Sequence, residues 1–148
     1  MKALTISQPF ASLIASGEKW VENRSWSTRY RGPLAIHAGK GIQYLSRDDL
    51  ADYPTGAIVA VCRLTNCVLL NHARARPDPD GLIVGTHVTW GELVAHPYTE
   101  GPWCWVIEDV VRLARPIPCR GQVGLWTPPA GYECWPETQR LAGSLVGR

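Results

Sequence analysis

Gly17-Glu18-Lys19-Trp20-Val21-Glu22-Asn23-Arg24 sets an ammonium, a carboxylate and a guanidinium within six residues. A turn glycine precedes them, and the indoles of Trp20 and Trp26 lie on either side of Glu22 and Arg24. A segment of that composition suits a ligand that is both anionic and aromatic, as a nucleotide is. Alternation along an extended chain puts Trp20, Glu22 and Arg24 on one face and Val21 on the other. Glu22 and Arg24 are therefore expected as neighbours, with Lys19 at the strand mouth.

The chain before this stretch reads as a strand over Lys2 to Ile6, then a short helix. Ser7 is its expected N-cap, Pro9 suits the first turn, Phe10, Leu13 and Ile14 recur at helical spacing, and Gly17 ends it. Beyond it, Leu34 to Ala38 reads as a strand ending in Gly39-Lys40-Gly41. Ser46 is expected to cap a brief helix from Asp49 to Tyr53. Ala57 to Leu70 is a long apolar strand, or two with a bend near Thr65-Asn66. Prolines and aspartates mark residues 71–88 as a loop. Thr89 is expected to cap a helix through Leu93, and Trp103 to Leu113 and Gln122 to Trp126 read as closing strands. After Pro128-Pro129 a tail is expected, with a final helical turn. The sum is α+β, mainly β.

At 148 residues with 45% hydrophobic and 19% charged side chains, the composition is that of one globular domain. No apolar run nears the ~20 residues of a membrane span. The first residues lack the apolar core and small-residue cleavage site of a signal peptide, so a cytoplasmic protein without a membrane partner is expected. Five cysteines, Cys62, Cys67, Cys104, Cys119 and Cys134, are an odd number without a Cys-x-x-Cys pair. Most of them read as small buried hydrophobes, and neither a disulfide framework nor a zinc site is expected. Neither metal nor cofactor is expected. The net charge of +2 conceals an asymmetry: residues 1–47 hold seven basic side chains against two acidic ones, a net of +5. Positive charge thus gathers around the opening stretch, as on a surface that meets phosphate.

The Gly-x-Lys-x-x-Glu-x-Arg pattern of residues 17–24 resembles the hallmark of the activating-signal-cointegrator homology (ASCH) domains, without a departure. Ser7-Gln8-Pro9-Phe10-Ala11-Ser12-Leu13-Ile14 resembles the family's opening segment. Arg24-Ser25-Trp26, Tyr30 to Ala38, Tyr53 to Val61, Gly101 to Val106 and Arg120 to Trp126 resemble later ones in order. The resemblance implies an ASCH domain over residues 1–128 with a tail at 129–148. It also implies a PUA-like, partly open β-barrel with two or three short peripheral helices.

The expected ligand-binding residues are Gln8, Lys19, Glu22, Arg24, Trp26, Arg29, Arg31, His37 and Lys40. Lys19 is a point charge for phosphate, Arg24 a fork that holds Glu22, and Glu22 an acceptor for a base amino group. Trp26 is the candidate stacking platform, whereas Trp105 and Trp126 read as core. His37 lies in an apolar strand, where a satisfied core histidine is the default. Gln8 offers an amide to an anion.

The leading expectation is a module that binds RNA, single-stranded nucleic acid or a nucleotide. The second is a small hydrolase, because some ASCH proteins remove the acyl group from N4-acetylcytidine and others are associated with ribonuclease activity. Lys19 and Glu22 would then be catalytic, activating a water. In the amidohydrolase branch a threonine stands where this chain has Glu22, and Thr28 lies outside the motif. The third is a protein-interaction domain of transcription or translation, using the 71–88 loop or the tail.

Overall fold

The computed structural model describes residues 1–146. Six strands are joined by short helices: β1 Lys2–Ile6, α1 Phe10–Ala15, β2 Val21–Arg24, β3 Gly32–Ala38, β4 Ala57–Leu69, α2 Leu70–Arg74, α3 Trp90–Ala95, β5 Trp103–Pro118 and β6 Leu125–Trp126. A 3-10 turn at Tyr132–Cys134 and a helix α4, Pro136–Val146, complete the described chain. The strands follow the hydrogen-bonded order β2-β5-β4-β3-β1-β6. The fold is α+β and mainly β, as expected.

Two compact units divide the chain, the first formed by Met1–Glu18, Pro33–Cys62 and Asp109–Arg148 and the second by Lys19–Gly32 and Arg63–Glu108. In the first, β1 runs parallel to β3 with Lys2 opposite Leu34 and Ile6 opposite Ala38, and antiparallel to β6. Its core joins Ala3, Ala35, Ile58, Val61, Leu113, Trp126 and Leu141. In the second, β2 pairs antiparallel with the start of β5, Val21 opposite Val106 and Arg24 opposite Trp103. Val21, Leu70, Ala73, Ile83, Leu93, Cys104 and Val106 form its core.

Several local expectations change. Ser7 does not cap α1; Pro9 occupies the cap position and no side chain bonds there. Gln8, fully buried, staples the helix instead: its Oε1 accepts from the Ser12 amide (3.0 Å), and its Nε2 donates to Ser12 Oγ and to the Pro54 carbonyl, both at 2.8 Å. Gly17 does end the helix, at φ +85, where a side chain would be strained. Ser46 bonds the Asp49 carboxylate through its hydroxyl (2.6 Å), but only turns follow, without the expected helix.

The 71–88 loop begins with α2, whose buried Leu70 and Ala73 lie three residues apart on one face. Thr89 caps α3 in a reciprocal capping box with Glu92. The closing strand β5 runs on to Pro118, past Leu113; Asp109, at φ 54, interrupts its regularity where the chain passes from one unit to the other. The expected final helical turn is the eleven-residue α4, with Leu141 buried in the first unit's core. Among the described residues, no helix is long and apolar enough to cross a membrane.

Candidate functional site

The chain leaves the αL glycine at position 17 and enters β2 with Lys19 and Glu22 three residues apart, close enough to meet. Lys19 Nζ donates to Glu22 Oε1 at 2.8 Å, and Arg24 Nη2 donates to Glu22 Oε2 at 2.9 Å. The Asn23 amide adds a third bond to Oε1, at 3.1 Å. The Lys19 and Glu22 side chains are 4% and 9% exposed, and Arg24 is 25% exposed. Alternation therefore made Glu22 and Arg24 neighbours as expected, and one buried carboxylate balances two cations, leaving the cluster one positive charge.

The alternate residue, Asn23, binds the segment before Pro102. Its Nδ2 donates to the Tyr98 carbonyl (2.8 Å), and its Oδ1 accepts from the amides of Glu100 (2.9 Å) and Gly101 (2.8 Å). His96 escaped the sequence reading. Its ring stacks on Trp20 with centroids 4.4 Å apart, and its Nε2 accepts from the Trp20 amide at 3.4 Å. Burial, and then the Lys19 charge, lower its proton affinity below the usual histidine value. No periodic pattern links residue 96 to residue 20, so only the folded chain brings them together.

Trp26 is half-buried and meets Trp105 edge-to-face, ring centroids 4.7 Å apart. Trp105 is fully buried, as expected, and its Nε1 donates to the Trp26 carbonyl (3.2 Å). Arg29 is exposed. Arg31 is exposed too, but its guanidinium ties down the turn: it donates to the carbonyls of Thr28 and Tyr30, both at 2.8 Å, and to Asn66 Oδ1 at 3.0 Å. The Thr28 hydroxyl accepts from the Tyr30 amide, also within that turn.

Gln8, His37 and Lys40 belong to the first unit. The amide of Gln8 is wholly engaged in stapling α1. His37 is buried, and its Nε2 donates to the Cys119 carbonyl at 2.8 Å. That leaves Nδ1 to accept from the Thr5 hydroxyl (3.2 Å), which itself accepts from Trp126 Nε1 (3.2 Å). His37 is thus the satisfied core histidine of the default reading. Lys40 is exposed and lines a cleft of about 940 Å³ with Thr5, His37, Cys119, Arg120 and Gln122. Arg120 and Gln122 were not singled out in the sequence, because nothing local ties residue 120 to residue 37.

Chemically the site sets an ammonium and a guanidinium on one carboxylate, in a segment that also carries the indoles of Trp20 and Trp26. Among the described residues, no group of three or more His, Cys, Asp or Glu is placed to hold a metal. Burial raises the thiol pKa values of Cys62, Cys67, Cys104 and Cys119, that of Cys104 to about 11, so none of these four is poised as a thiolate nucleophile.

The ASCH domain family profile matches residues 4–113. Activating signal cointegrator 1 of Homo sapiens is 31% identical over a match that covers 44% of this chain and 14% of that much longer protein. Among solved structures, the ASCH protein of Zymomonas mobilis superposes with a TM-score of 0.53 at 17% identity, covering 96% of this chain and 93% of that one. A point mutant of the same protein also gives 0.53 at 17% identity, with 96% of each chain covered. At that identity the likeness concerns the fold alone. Family profile, ordered motifs and fold agree, and this chain belongs to the ASCH domain family.

Proposed function

We propose that this ASCH chain is a nucleic-acid-binding module directed at RNA or single-stranded nucleic acid, with free nucleotides as its minimal ligands. One observation carries the reading: two cations share one buried carboxylate at β2, and the half-buried Trp26 and exposed Arg29 follow shortly after it in the chain. Glu22 orders the two cations, Arg24 extends toward solvent for phosphate or a base edge, and Trp26 offers a face for stacking. The +5 charge of residues 1–47 supplies long-range attraction.

The test is titration of a fluorescent single-stranded RNA and its DNA counterpart at two salt concentrations. Affinity falls steeply with salt. Trp26→Ala weakens binding by about 1–3 kcal/mol, and Arg24→Ala and Arg29→Ala reduce the salt slope. Binding that ignores salt, or its absence for both oligomers, refutes the proposal. The hydrolase reading has one support, the 2.8 Å Lys19–Glu22 pair, which has the form of a proton-transfer couple. Incubating the same protein with N4-acetylcytidine and seeing turnover abolished by Glu22→Gln would establish it.

A further inference from the structure

The cleft in the first unit is not explained by the Lys19–Glu22–Arg24 cluster. Among its lining residues there is no acidic side chain, while Lys40 and Arg120 stand on its wall. Both are exposed, and neither enters an ion pair among the described residues. A cavity lined by two cations and no carboxylate has a positive potential that favours an anion.

The wall carrying Arg120 is fixed from below. The Cys119 carbonyl is held by His37 Nε2 at 2.8 Å, and the Cys119 amide donates to the Gly56 carbonyl at 3.0 Å. The His37 ring is braced in turn by Thr5 and Trp126. Gly121 then lies directly on this post: a Cβ there would stand 2.7 Å from both His37 Cε1 and Thr5 Oγ1. Any side chain at 121 would push the segment outward, and with it Arg120 and Gln122. On the other wall, the alkyl stem of Lys40 lies across Gly56, where a Cβ would meet Lys40 Cε at 3.1 Å. The cations are therefore seated on ordered backbone rather than at the tips of free loops.

We propose that this cleft binds the phosphate of a nucleotide, with Arg120 and Lys40 as the charge contacts, Gln122 as a polar partner, and His37 as a positioning residue. An arginine fork and a lysine point charge complement each other on a phosphate. The 940 Å³ volume is that of a site for a whole small molecule rather than a bare anion. Pro118 and Val123 add apolar surface for the base or sugar. The choice of a nucleotide among phosphate esters rests on the nucleic-acid reading above, whereas the anion site stands on its own residues.

The experiment is isothermal titration of the full chain with 5′-nucleoside monophosphates, the matching unphosphorylated nucleosides and inorganic phosphate. The monophosphates bind, while nucleosides and inorganic phosphate are each weaker by about tenfold or more, the worth of one charge-assisted contact. Arg120→Ala and Lys40→Ala each weaken the monophosphate by a similar factor, both at exposed positions that leave the fold intact. Gly121→Ala weakens it without removing a charge.

No binding up to about 10 mM, or a Lys40→Ala/Arg120→Ala double variant that binds like the wild type, overturns the proposal. Equal affinity for inorganic phosphate overturns its nucleotide part. The two readings fail separately. Oligomer binding lost in Arg24→Ala, together with monophosphate binding untouched by the double variant, sinks this inference alone. Mononucleotide binding without any oligomer binding sinks the nucleic-acid module alone.

Discussion

Glu22→Gln is the substitution that most directly tests the energetics of the β2 cluster. The change keeps the shape of the side chain but removes the charge that Lys19 meets at 2.8 Å and Arg24 at 2.9 Å. It also turns an amide NH2 toward groups that are themselves donors. Losing one partner of a buried ion pair costs about 3–5 kcal/mol, because a charge remains where water cannot reach it. Arg24 is a quarter exposed and can turn toward solvent, so the lower end applies, about 3 kcal/mol. For a chain of this size that is roughly 6–12 °C in Tm.

Urea denaturation followed by tryptophan fluorescence reads the change as a lower midpoint at unchanged slope. The companion variant Lys19→Met/Glu22→Leu replaces the buried pair with apolar groups, and such replacements are often neutral. It recovers at least half of the loss. A Glu22→Gln loss below ~0.5 kcal/mol, the size of an exposed pair, would refute the reasoning. So would a double variant no more stable than the single one.

Other outcomes follow from the same geometry. Leu141→Ala lowers stability by about 2–5 kcal/mol in thermal melts, because Leu141 is 1% exposed in the first unit's core. His96 binds its proton less readily when folded, so the unfolded chain takes up the proton first as pH falls. Its contribution to stability is complete above the unfolded value near ~6.5 and declines as pH falls through the folded one. His96→Asn therefore flattens the stability profile on the acid side of that value. In thiol labelling of the native protein monitored by mass, the exposed Cys134 reacts first. Cys62, fully buried with its pKa raised by that burial and by Asp109, stays unmodified until the chain unfolds.

How much of this was legible depended on sequence distance. The contact of Glu22 with Arg24 spans two residues and follows from strand alternation, whereas Lys19 reaches Glu22 from the turn before the strand. The Thr89–Glu92 capping box was equally local. The brace from Trp126 through Thr5 to His37 and Cys119 joins residues up to 121 positions apart, and no periodicity records such pairings. The staple made by Gln8 was hidden for a related reason: its carbonyl partner at Pro54 is remote. A five-residue helix such as α2 is too short to show a repeat, and α4 was obscured by the Pro128-Pro129 break and Gly131 before it. The extension of β5 past Leu113 went unseen because Pro116 and Pro118 read as strand breakers.

Asn23 bears on how the motif constrains variation. The pattern names Gly17, Lys19, Glu22 and Arg24, and leaves position 23 open. In this chain that open position holds three main-chain groups of residues 98–101. A search scored on the named residues alone would rate Asn23→Ala as silent. The substitution would nonetheless release the segment running into β5, the strand against which Glu22 and Arg24 are registered. Here the unspecified letter in the pattern anchors the frame in which the specified ones are read.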